Sequence, residues 1–529
     1  MRIVLVLMLS FLLAATGYAQ LQNPIDVLQY RFSIQLSDAS DTIEGKAVVQ
    51  LRFTQPAKQV SLDLASPSQG KGMEVLSVSG QQTSLEKLHR DNQLVIYLHT
   101  PAKAGDTAVF EINYKGIPSD GLIISRNKYG HRTFFADNWP NRGHNWIPCH
   151  DDPADKATVD FIVTAPAHYN IVANGILVEE TTIGNNKKLS HYTESVPIAT
   201  KVMVIGAADF AVNLSGFVGC IPVFSWIYPE DREKGFYDYA QANEILPYFI
   251  QQVGPYGYKK LANVQSKTIF GGLENANTIF YSENSVTGTR KSESLLAHEI
   301  AHQWFGNMAT EKSFAHLWLS EGFATYFTIL YFENKHGIDT ATAMLRQDRS
   351  EAIAFSKENN HAVVDSSIHD YMQLLNPNNY QKGGWILHML RRQLGDSIFF
   401  TSIREYYARY AGKNADTRDL QAIFEKNAGK NLNLFFNQWL YRPGLPVLDI
   451  SWKPESKKIW VKISQLQTEA FVFPLDLQIN TASGKSIVKK LEISKKEESF
   501  TIYVDEAVRS IIADPGTNLL FDARINAMK

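Results

Sequence analysis

Two histidines and a glutamate lie close together in the stretch LLAHEIAHQWFGN, which runs from Leu295 to Asn307. His298 and His302 are four residues apart, so on a helix they project from one face, and their rings can meet on one metal ion. Glu299 lies beside that face, near enough to reach a metal-bound water without being a ligand itself. These residue types at this spacing could hold a metal ion and activate water for hydrolysis.

The pattern H-E-x-x-H is the arrangement of zinc peptidases, but so short a pattern also arises by chance in a chain of 529 residues. The alternative is an amphipathic helix whose two histidines only cover the edge of a core. A third ligand elsewhere in the chain is needed to decide, because a catalytic zinc ion is held by three protein ligands and keeps a fourth position open.

Glu321 is the candidate third ligand, with 18 residues between it and His302. It lies in a stretch with apolar residues at helical spacing, namely Leu319, Phe323, Phe327 and Leu330, which predicts a second helix that stops at Gly337. A carboxylate among such residues must be paired or ligating, because burying it alone is costly. A solvated glutamate favoured by the helix dipole is the open alternative. We interpret His298, His302 and Glu321 as ligands of one zinc ion per chain.

The pattern of apolar residues divides the rest of the chain into three regions and predicts an α+β multidomain protein. From Tyr30 to about Phe210, short alternating runs predict an all-β domain over 20–210, with turns at Gly45, Pro56, Gly80, Gly105 and Gly116. From Asp231 onward the period becomes helical, which predicts a mainly α catalytic domain over 211–444. From about Pro446 strands return, which predicts a small β-sandwich over 445–529.

The first residues have the pattern of a cleaved secretory signal over 1–19. Arg2 precedes an apolar run of 13 residues, and small residues follow at Gly17 and Ala19, as a cleavage site requires. We therefore expect an exported protein, periplasmic or extracellular. Export permits a disulfide between Cys149 and Cys220, but two free buried thiols are an equal alternative.

The composition argues against several classes of partner. The formal net charge is −2, with 44% hydrophobic and 20% charged residues, so no basic surface is expected for nucleic acid or for an anionic membrane. No segment after the first residues is apolar enough to cross a membrane. We expect a soluble monomer.

Four motifs in the same order resemble the aminopeptidase N family of gluzincin metallopeptidases, to which leukotriene hydrolase also belongs. They are HEIAH with the later WLSEGFA, FGGLENAN (270–277) similar to G-x-M-E-N, NYQKGG (379–384) similar to Y-x-K-G, and PCHDDPADKA similar to P-C-x-D-x-P-x-x-K-A. The resemblance covers about 30–446. It implies a thermolysin-like catalytic domain and peptide substrates with a free N-terminus.

The resemblance also implies a role for each matched residue. Glu274 would bind the substrate amine through charge-assisted hydrogen bonds, and Gly271 and Gly272 would let the substrate backbone approach closely. Glu299 would be the general base, and Tyr380 would donate to the oxyanion. Taken alone, GGLEN could equally be a plain turn, and a tyrosine could equally be buried at a helix start.

The sequence departs from the family in three places. Leu273 replaces the usual Met. The family usually has a second amine-binding residue, Gln or Glu, about ten residues before its P-C, and this position is Trp139 here. Either Asp137 or Asn138 takes that role, or the second amine-binding residue is absent. The large helical C-terminal domain of many members is not expected. The alternatives to an aminopeptidase are a zinc endopeptidase and an inactive peptide-binding scaffold; an epoxide hydrolase activity has no separate signature.

Overall fold

The N-terminal part of the protein is built from strands. A computed structural model describes residues 24–528, so the predicted signal at 1–19 lies outside the described residues. The strands are β1 (Ile25–Gln35), β2 (Ile43–Phe53), β3 (Ala57–Asp63), β4 (Gly72–Gly80), β5 (Thr83–Ser84), β6 (Lys87–Arg90), β7 (Gln93–Ala102), β8 (Thr107–Ile117), β9 (Leu122–Arg126), β10 (Arg132–Ala136), β11 (Lys156–Pro166), β12 (Asn170–Ala173), β13 (Ile176–Ile183), β14 (Lys187–Ala199) and β15 (Ile205–Ala208).

These strands form three sheets, the largest in the order β13-β14-β11-β1-β2-β8-β4-β5. Within it β1 pairs in parallel with β11 and antiparallel with β2. Apolar side chains of β1 such as Tyr30, Phe32 and Ile34 are buried while the residues between them are not, which is the alternation that the sequence pattern predicts. The smaller sheets have the orders β12-β15-β10-β9 and β3-β7-β6.

Two glycines predicted to form turns lie inside strands instead. Gly45 is part of β2, where an added Cβ would lie 2.6 Å from Cε1 of Tyr114 on β8. Gly116 is part of β8, where a Cβ would meet the backbone of Gly72. The turn prediction was wrong at both positions because these glycines make room for a neighbouring strand or ring, a use of glycine that local sequence does not reveal.

The central part joins a mixed sheet to a group of helices. Its strands are β16 (Ala211–Val218), β17 (Ile221–Ile227), β18 (Leu261–Ser266), β19 (Gly272–Leu273), β20 (Thr278–Ser282), β21 (Ala309–Glu311) and β22 (Lys413–Ala415). The helices are α1 (Arg232–Tyr239), α2 (Ala242–Gln252), α3 (Glu293–Ala301), α4 (Trp318–His336), α5 (Ile338–Glu358), α6 (Gly383–Leu394), α7 (Asp396–Tyr410), α8 (Thr417–Ala428) and α9 (Asn433–Leu440). The sheet order β16-β17-β18-β20-β19 leaves β19 at an edge, beside α3.

Several helix ends follow from local sequence. Gly337 and Gly395 end α4 and α6 with φ of 88° and 84°, which residues with a Cβ rarely adopt. Asp416 and Asp419 form a reciprocal capping box at the start of α8. The predicted stop of the second helix at Gly337 is therefore confirmed.

The C-terminal part is a small sandwich of two sheets. Its strands are β23 (Val447–Glu455), β24 (Lys458–Gln465), β25 (Phe473–Thr481), β26 (Ser486–Ile493), β27 (Glu497–Tyr503), β28 (Val508–Ala513) and β29 (Asp522–Ala527). The two sheets have the orders β27-β24-β23-β29 and β26-β25-β28. The predicted fold class is confirmed: an all-β domain, a mainly α region and a β-sandwich follow one another.

Two further sequence questions are decided within residues 24–528. Neither Cys149 nor Cys220 forms a disulfide, so both thiols are free as the second alternative expects, but Cys149 is buried whereas Cys220 is exposed, so the expected burial was wrong for Cys220. No helix in this range is both long and apolar enough to cross a membrane.

Candidate metal centre and substrate cavity

His298 and His302 are positioned by helix α3 and the turn that follows it. His298 lies in the last turn of α3, while His302 is the residue just after its last helical position, Ala301. The backbone of His302 keeps right-handed helical angles and its N–H donates to the carbonyl of His298 at 3.3 Å. The predicted helix thus ends one residue early, but the two rings still project from one face.

Three side-chain atoms of the predicted ligand set form a nearly equilateral triangle. Nε2 of His298 lies 3.1 Å from Nε2 of His302, and Oε2 of Glu321 lies 3.3 Å and 3.2 Å from these two nitrogens. Ligands about 2.0–2.1 Å from a tetrahedral zinc ion would lie about 3.3–3.4 Å apart. Within residues 24–528 no other group of three or more His, Cys, Asp or Glu side chains is arranged to hold a metal ion.

The orientation of the His302 ring is fixed by its other nitrogen. Nδ1 lies 3.1 Å from the carbonyl oxygen of Phe305 and 3.0 Å from Oγ of Ser320. A proton on Nδ1 satisfies the carbonyl and leaves the lone pair on Nε2 free for a metal. Gly306, with φ of 106°, lets this turn pack against Ser320, since a Cβ would lie 3.1 Å from the Cβ of Ser320.

The charges around the triangle favour a cation. Glu274, Glu299 and Glu321 are all buried and lie close enough to affect one another, and no Lys or Arg of the described residues lines their cavity. Burial acts to lower the pKa of His302, but these three carboxylates, Glu321 foremost, raise it to about 10. Burial acts to raise the pKa of Glu321, yet the two histidines hold it well below its usual range. The three donors therefore fit a divalent cation such as zinc in both type and charge.

Glu299 lines the same cavity and rests against Gly272. A Cβ at Gly272 would lie 2.5 Å from Cδ of Glu299, so only glycine leaves room for this carboxylate. Gly271 is less crowded than Gly272. A Cβ at Gly271 would meet only Cδ1 of Leu295, at 3.9 Å, and would not touch Glu299. Burial, with Glu274 and Glu321, raises the pKa of Glu299 well above its ordinary value.

Tyr380 reaches the cavity from a π-helical turn over Asn378–Lys382 that leads into α6. Its ring stacks on the ring of His298, with centroids 5.9 Å apart and planes 9° from parallel. A close contact between α4 and α6 sets this position, since a Cβ at Gly383 would lie 3.0 Å from Cα of Gly322. Gly322, directly after Glu321, and Gly383, three residues after Tyr380, are thus glycines for a packing reason.

The carbonyl of Glu274 is held by two side chains from the stretch that carries the histidines. Nε2 of Gln303 donates to this oxygen at 3.0 Å, and Nδ2 of Asn307 donates to it at 2.6 Å. Oε1 of Glu274 is buried and has no hydrogen-bond partner among residues 24–528. This carboxylate oxygen can therefore accept a hydrogen bond from a donor that enters the cavity.

The N-terminal domain supports the loop after the histidines. Nζ of Lys156 donates to the carbonyls of Asn307 and Met308 at 3.0 and 2.8 Å. Lys201 forms an ion pair with Glu311, and both side chains are completely buried. The Lys156 contact connects the P-C-x-D-x-P-x-x-K-A segment to the site through the same Asn307 that holds Glu274.

Neither candidate for the second amine-binding residue is free to take that role. Asp137 pairs with Arg142 and accepts from Oγ1 of Thr268 at 3.0 Å. The amide of Asn138 donates to the carbonyl of Met203 at 2.6 Å and accepts from the indole of Trp146 at 2.8 Å. Of these three residues, Trp139 alone lines the cavity, and its side chain offers no acceptor for an amine.

All eight predicted site residues come together around one cavity of about 260 Å³. The members are Gly271, Gly272, Glu274, His298, Glu299, His302, Glu321 and Tyr380. A larger cavity of about 500 Å³ lies between α6, α9 and the C-terminal sandwich and contains none of them. The smaller cavity is the functional candidate because it alone of the two holds the ligand triangle.

Some site residues escaped prediction from the sequence. Gln303 and Asn307 stand in the quoted stretch itself, but their target is a carbonyl 29 and 33 residues earlier in the chain. Ser320 precedes the third ligand directly, a position that could have suggested a partner for a histidine. Lys156 acts across a domain boundary, and no local signal reveals that.

Two family models match the chain. The model described as "Peptidase M1 N-terminal domain" matches residues 27–202, and that described as "Peptidase family M1 domain" matches residues 237–439. Both histidines and the third ligand fall within the second match. Together the two matches cover most of the chain.

Curated relatives include several aminopeptidases. "Aminopeptidase M1" of Arabidopsis thaliana is 28% identical over 375 residues, 65% of this chain and 41% of that protein. "Probable aminopeptidase 2" of Sulfurisphaera tokodaii is 25% identical over 460 residues, 82% of this chain and 57% of that protein. "Tricorn protease-interacting factor F2" of Thermoplasma acidophilum is 25% identical over 515 residues, 92% of this chain and 62% of that protein. The chain thus covers less than two thirds of each of them.

Among solved structures, a mutant of an M1 zinc metallopeptidase from Deinococcus radiodurans has a similar fold. The TM-score is 0.68 at 22% sequence identity, and the similarity covers 79% of this chain and 95% of that chain. At this identity the comparison establishes a common fold.

Proposed function

The chain belongs to peptidase family M1, and we propose that it is a zinc-dependent aminopeptidase that hydrolyses the N-terminal peptide bond of peptides. The aminopeptidases among its relatives support this activity, and the fold and the ligand triangle support the use of zinc. The observation that carries the proposal is the buried, unpartnered Oε1 of Glu274 beside that triangle.

In this proposal His298, His302 and Glu321 hold the metal. A zinc ion bound there supplies Lewis-acid polarisation of the scissile carbonyl and lowers the pKa of a water molecule. Glu299 takes the proton of the attacking water and passes it to the leaving nitrogen. Its buried position against Gly272 supports this role, because the carboxylate lines the cavity beside the ligand triangle and burial raises its pKa, which favours its holding a proton.

Tyr380 is proposed to donate a hydrogen bond to the oxyanion that forms as the carbonyl is attacked. Burial raises the pKa of Tyr380 well above 10, and the carboxylates of Glu321, Glu274 and Glu299 raise it further. The hydroxyl therefore keeps its proton throughout the physiological range. Its ring is held against His298, one of the three proposed metal ligands.

Glu274 is proposed to bind the α-ammonium of the substrate. A charged amine supplies several donors, which fits a buried carboxylate oxygen that lacks one. The peptide chain would extend along β19, an edge strand whose outer side is not paired with another strand in the sheet. Only the first peptide bond would then lie at the metal.

N-acetylation tests this assignment against the endopeptidase alternative. A peptide with a free amine should lose its first residue, and the same peptide with an acetylated amine should remain intact, as followed by mass spectrometry. Internal cleavage of the acetylated peptide would favour an endopeptidase.

Glu274→Ala should raise KM for the free peptide at least tenfold, since charge-assisted hydrogen bonds are lost. Glu44→Ala, which removes an exposed carboxylate on β2, is the matched control.

We also propose that the protein is exported and acts as a monomer. The support for export is the signal pattern at 1–19, and the support for a soluble monomer is the composition. N-terminal sequencing of secreted material should begin at Gln20. Light scattering should give the mass of one chain, and the mass of a dimer would contradict the second part.

A further inference from the structure

Lys382 is a buried lysine for which the proposed mechanism has no use. It is the last residue of the π-helical turn that carries Tyr380, and only 2% of its surface is exposed. Its Nζ donates to the carbonyl of Gly444 at 2.8 Å, and it pairs with no carboxylate among residues 24–528. Gly444 belongs to the segment 441–446, which joins α9 to β23. The lysine therefore ties the turn to the segment that leads into the C-terminal sandwich.

The burial of Lys382 is costly. Burial, together with the nearby guanidinium of Arg442, lowers the pKa of Lys382 to about 7. An apolar side chain of similar length would avoid this cost, since the buried amine gives up its hydration for a single hydrogen bond within the protein. Departures from a well-paired interior are expected at functional sites, so the cost of this lysine indicates a task beyond packing.

Two more side chains of the same turn donate to carbonyls of other segments. Nδ2 of Asn378 donates to the carbonyl of His361 at 3.0 Å, and Nδ2 of Asn379 donates to the carbonyl of Leu374 at 2.9 Å. These two donors precede the tyrosine and the lysine follows it, so the turn is held at both ends. Turns of the π-helical kind are rare and are often found at functional sites.

Resting on the proposed role of Tyr380 as oxyanion donor, we infer that Lys382 is a positioning residue that fixes the Tyr380 hydroxyl beside the ligand triangle, and that Asn378 and Asn379 act with it. A donor stabilises an oxyanion only if it already stands where the charge develops. The carbonyl of Gly444 is the anchor, so a segment that does not line the cavity contributes to its geometry.

A double-substitution cycle tests the inference on the zinc-loaded protein, with the fluorogenic amide of leucine as substrate. Lys382→Met keeps a side chain of similar length but removes the donor. The value of kcat should fall about 10- to 100-fold, because a displacement of the hydroxyl by up to about 1 Å weakens its hydrogen bond in the transition state. KM should change less than about twofold, because that bond is made only in the transition state.

The cycle is completed by Tyr380→Phe. In this background Lys382→Met should lower kcat no further, because the hydroxyl that it displaces is absent. A loss by the same factor in both backgrounds, or an unchanged kcat in Lys382→Met alone, would overturn the inference. A wild-type kcat in Tyr380→Phe alone would contradict the proposed role of Tyr380, and the inference with it.

Lys260→Met is the matched control. Lys260 is also buried with its Nζ on a backbone carbonyl, that of Ala173, but it does not line the cavity or belong to the turn. This variant should keep the wild-type kcat. A loss of kcat equal to that in Lys382→Met would assign the effect to the removal of any buried lysine and would overturn the inference.

Asn378→Leu takes the place of Lys382→Met in the cycle should that variant fail to fold. Leucine is similar in size to asparagine but cannot donate to the carbonyl of His361. The loss of kcat should again disappear in the Tyr380→Phe background. An equal loss in both backgrounds, or no loss in either, would overturn the positioning role of the turn.

Discussion

Gly272 and Glu299 are in direct contact, and the contact explains why the residue before Leu273 is a glycine. A Cβ at Gly272 would lie 2.5 Å from Cδ of the Glu299 side chain. The sequence suggests that this glycine makes room for substrate. The structure adds that it makes room for the proposed general base.

Gly272→Ala should therefore act on the chemical step. The added methyl group displaces the Glu299 carboxylate, and a misplacement of about 1 Å costs on the order of 100-fold in rate. We expect kcat to fall by about that factor with bound zinc retained. Gly271→Ala is the matched comparison, because its Cβ would meet only Leu295 at 3.9 Å, and any effect should appear in KM instead. Equal losses of kcat in both variants would contradict this account.

The contact of Gly322 with Gly383 makes a prediction about stability. An alanine at Gly322 would place its Cβ 2.8 Å from Cα of Gly383, so α4 and α6 must separate. Such overpacking costs about 1–3 kcal/mol. Thermal unfolding should show the loss, and kcat should fall with it because Tyr380 precedes α6. Gly184→Ala, where a Cβ would meet nothing within 4 Å, should leave the melting temperature unchanged.

The buried pair of Lys201 and Glu311 predicts a non-additive double substitution. Lys201→Met leaves the Glu311 carboxylate buried without a cation, which costs about 3–5 kcal/mol. Adding Glu311→Leu should recover most of that loss, because two apolar side chains replace a pair that needs desolvation. Denaturant unfolding of the single and double variants measures the coupling. Additive losses would show that the pair does not act as a unit.

Lys260 predicts how stability changes with pH. Burial lowers the pKa of Lys260 to about 7, against 10.5 for the exposed side chain, and its Nζ donates to the carbonyl of Ala173. Between these values the unfolded chain binds more protons than the folded protein, so stability rises with pH, by about 1.4 kcal/mol per unit from this group. The contribution is smallest below pH 7. The denaturation midpoint should increase from pH 7 to pH 9, and this increase should be smaller in Lys260→Met than in the wild type. An equal increase in both proteins would exclude Lys260 as its source.

The local part of the site could be predicted from the sequence. His298 and His302 share a helical face by spacing alone, and the apolar period around Glu321 indicates the helix that brings it to them. Gly337 ends that helix because its φ of 88° suits glycine. Such features depend on residues within one element, so composition and period are sufficient to find them.

The remaining features depend on contacts between distant segments. Gly45 faces a tyrosine ring on a neighbouring strand, and Trp139 reaches the cavity from another domain. Asn307 holds a carbonyl 33 residues earlier in the chain, while Lys156 holds Asn307 from 151 residues away. No periodicity within a window reports these partners, because they are set by how whole sheets and helices pack.

The most direct test of the central claim is the rate of leucine amide hydrolysis by Glu299→Gln, measured together with its zinc content. Glutamine preserves the size of the side chain but cannot accept the proton of the attacking water. We predict that kcat falls about 100- to 10,000-fold, the range for loss of a general base, while one zinc ion per chain is retained and KM changes little. Full activity in this variant, with zinc bound, would contradict the assignment of Glu299 and the mechanism built on it.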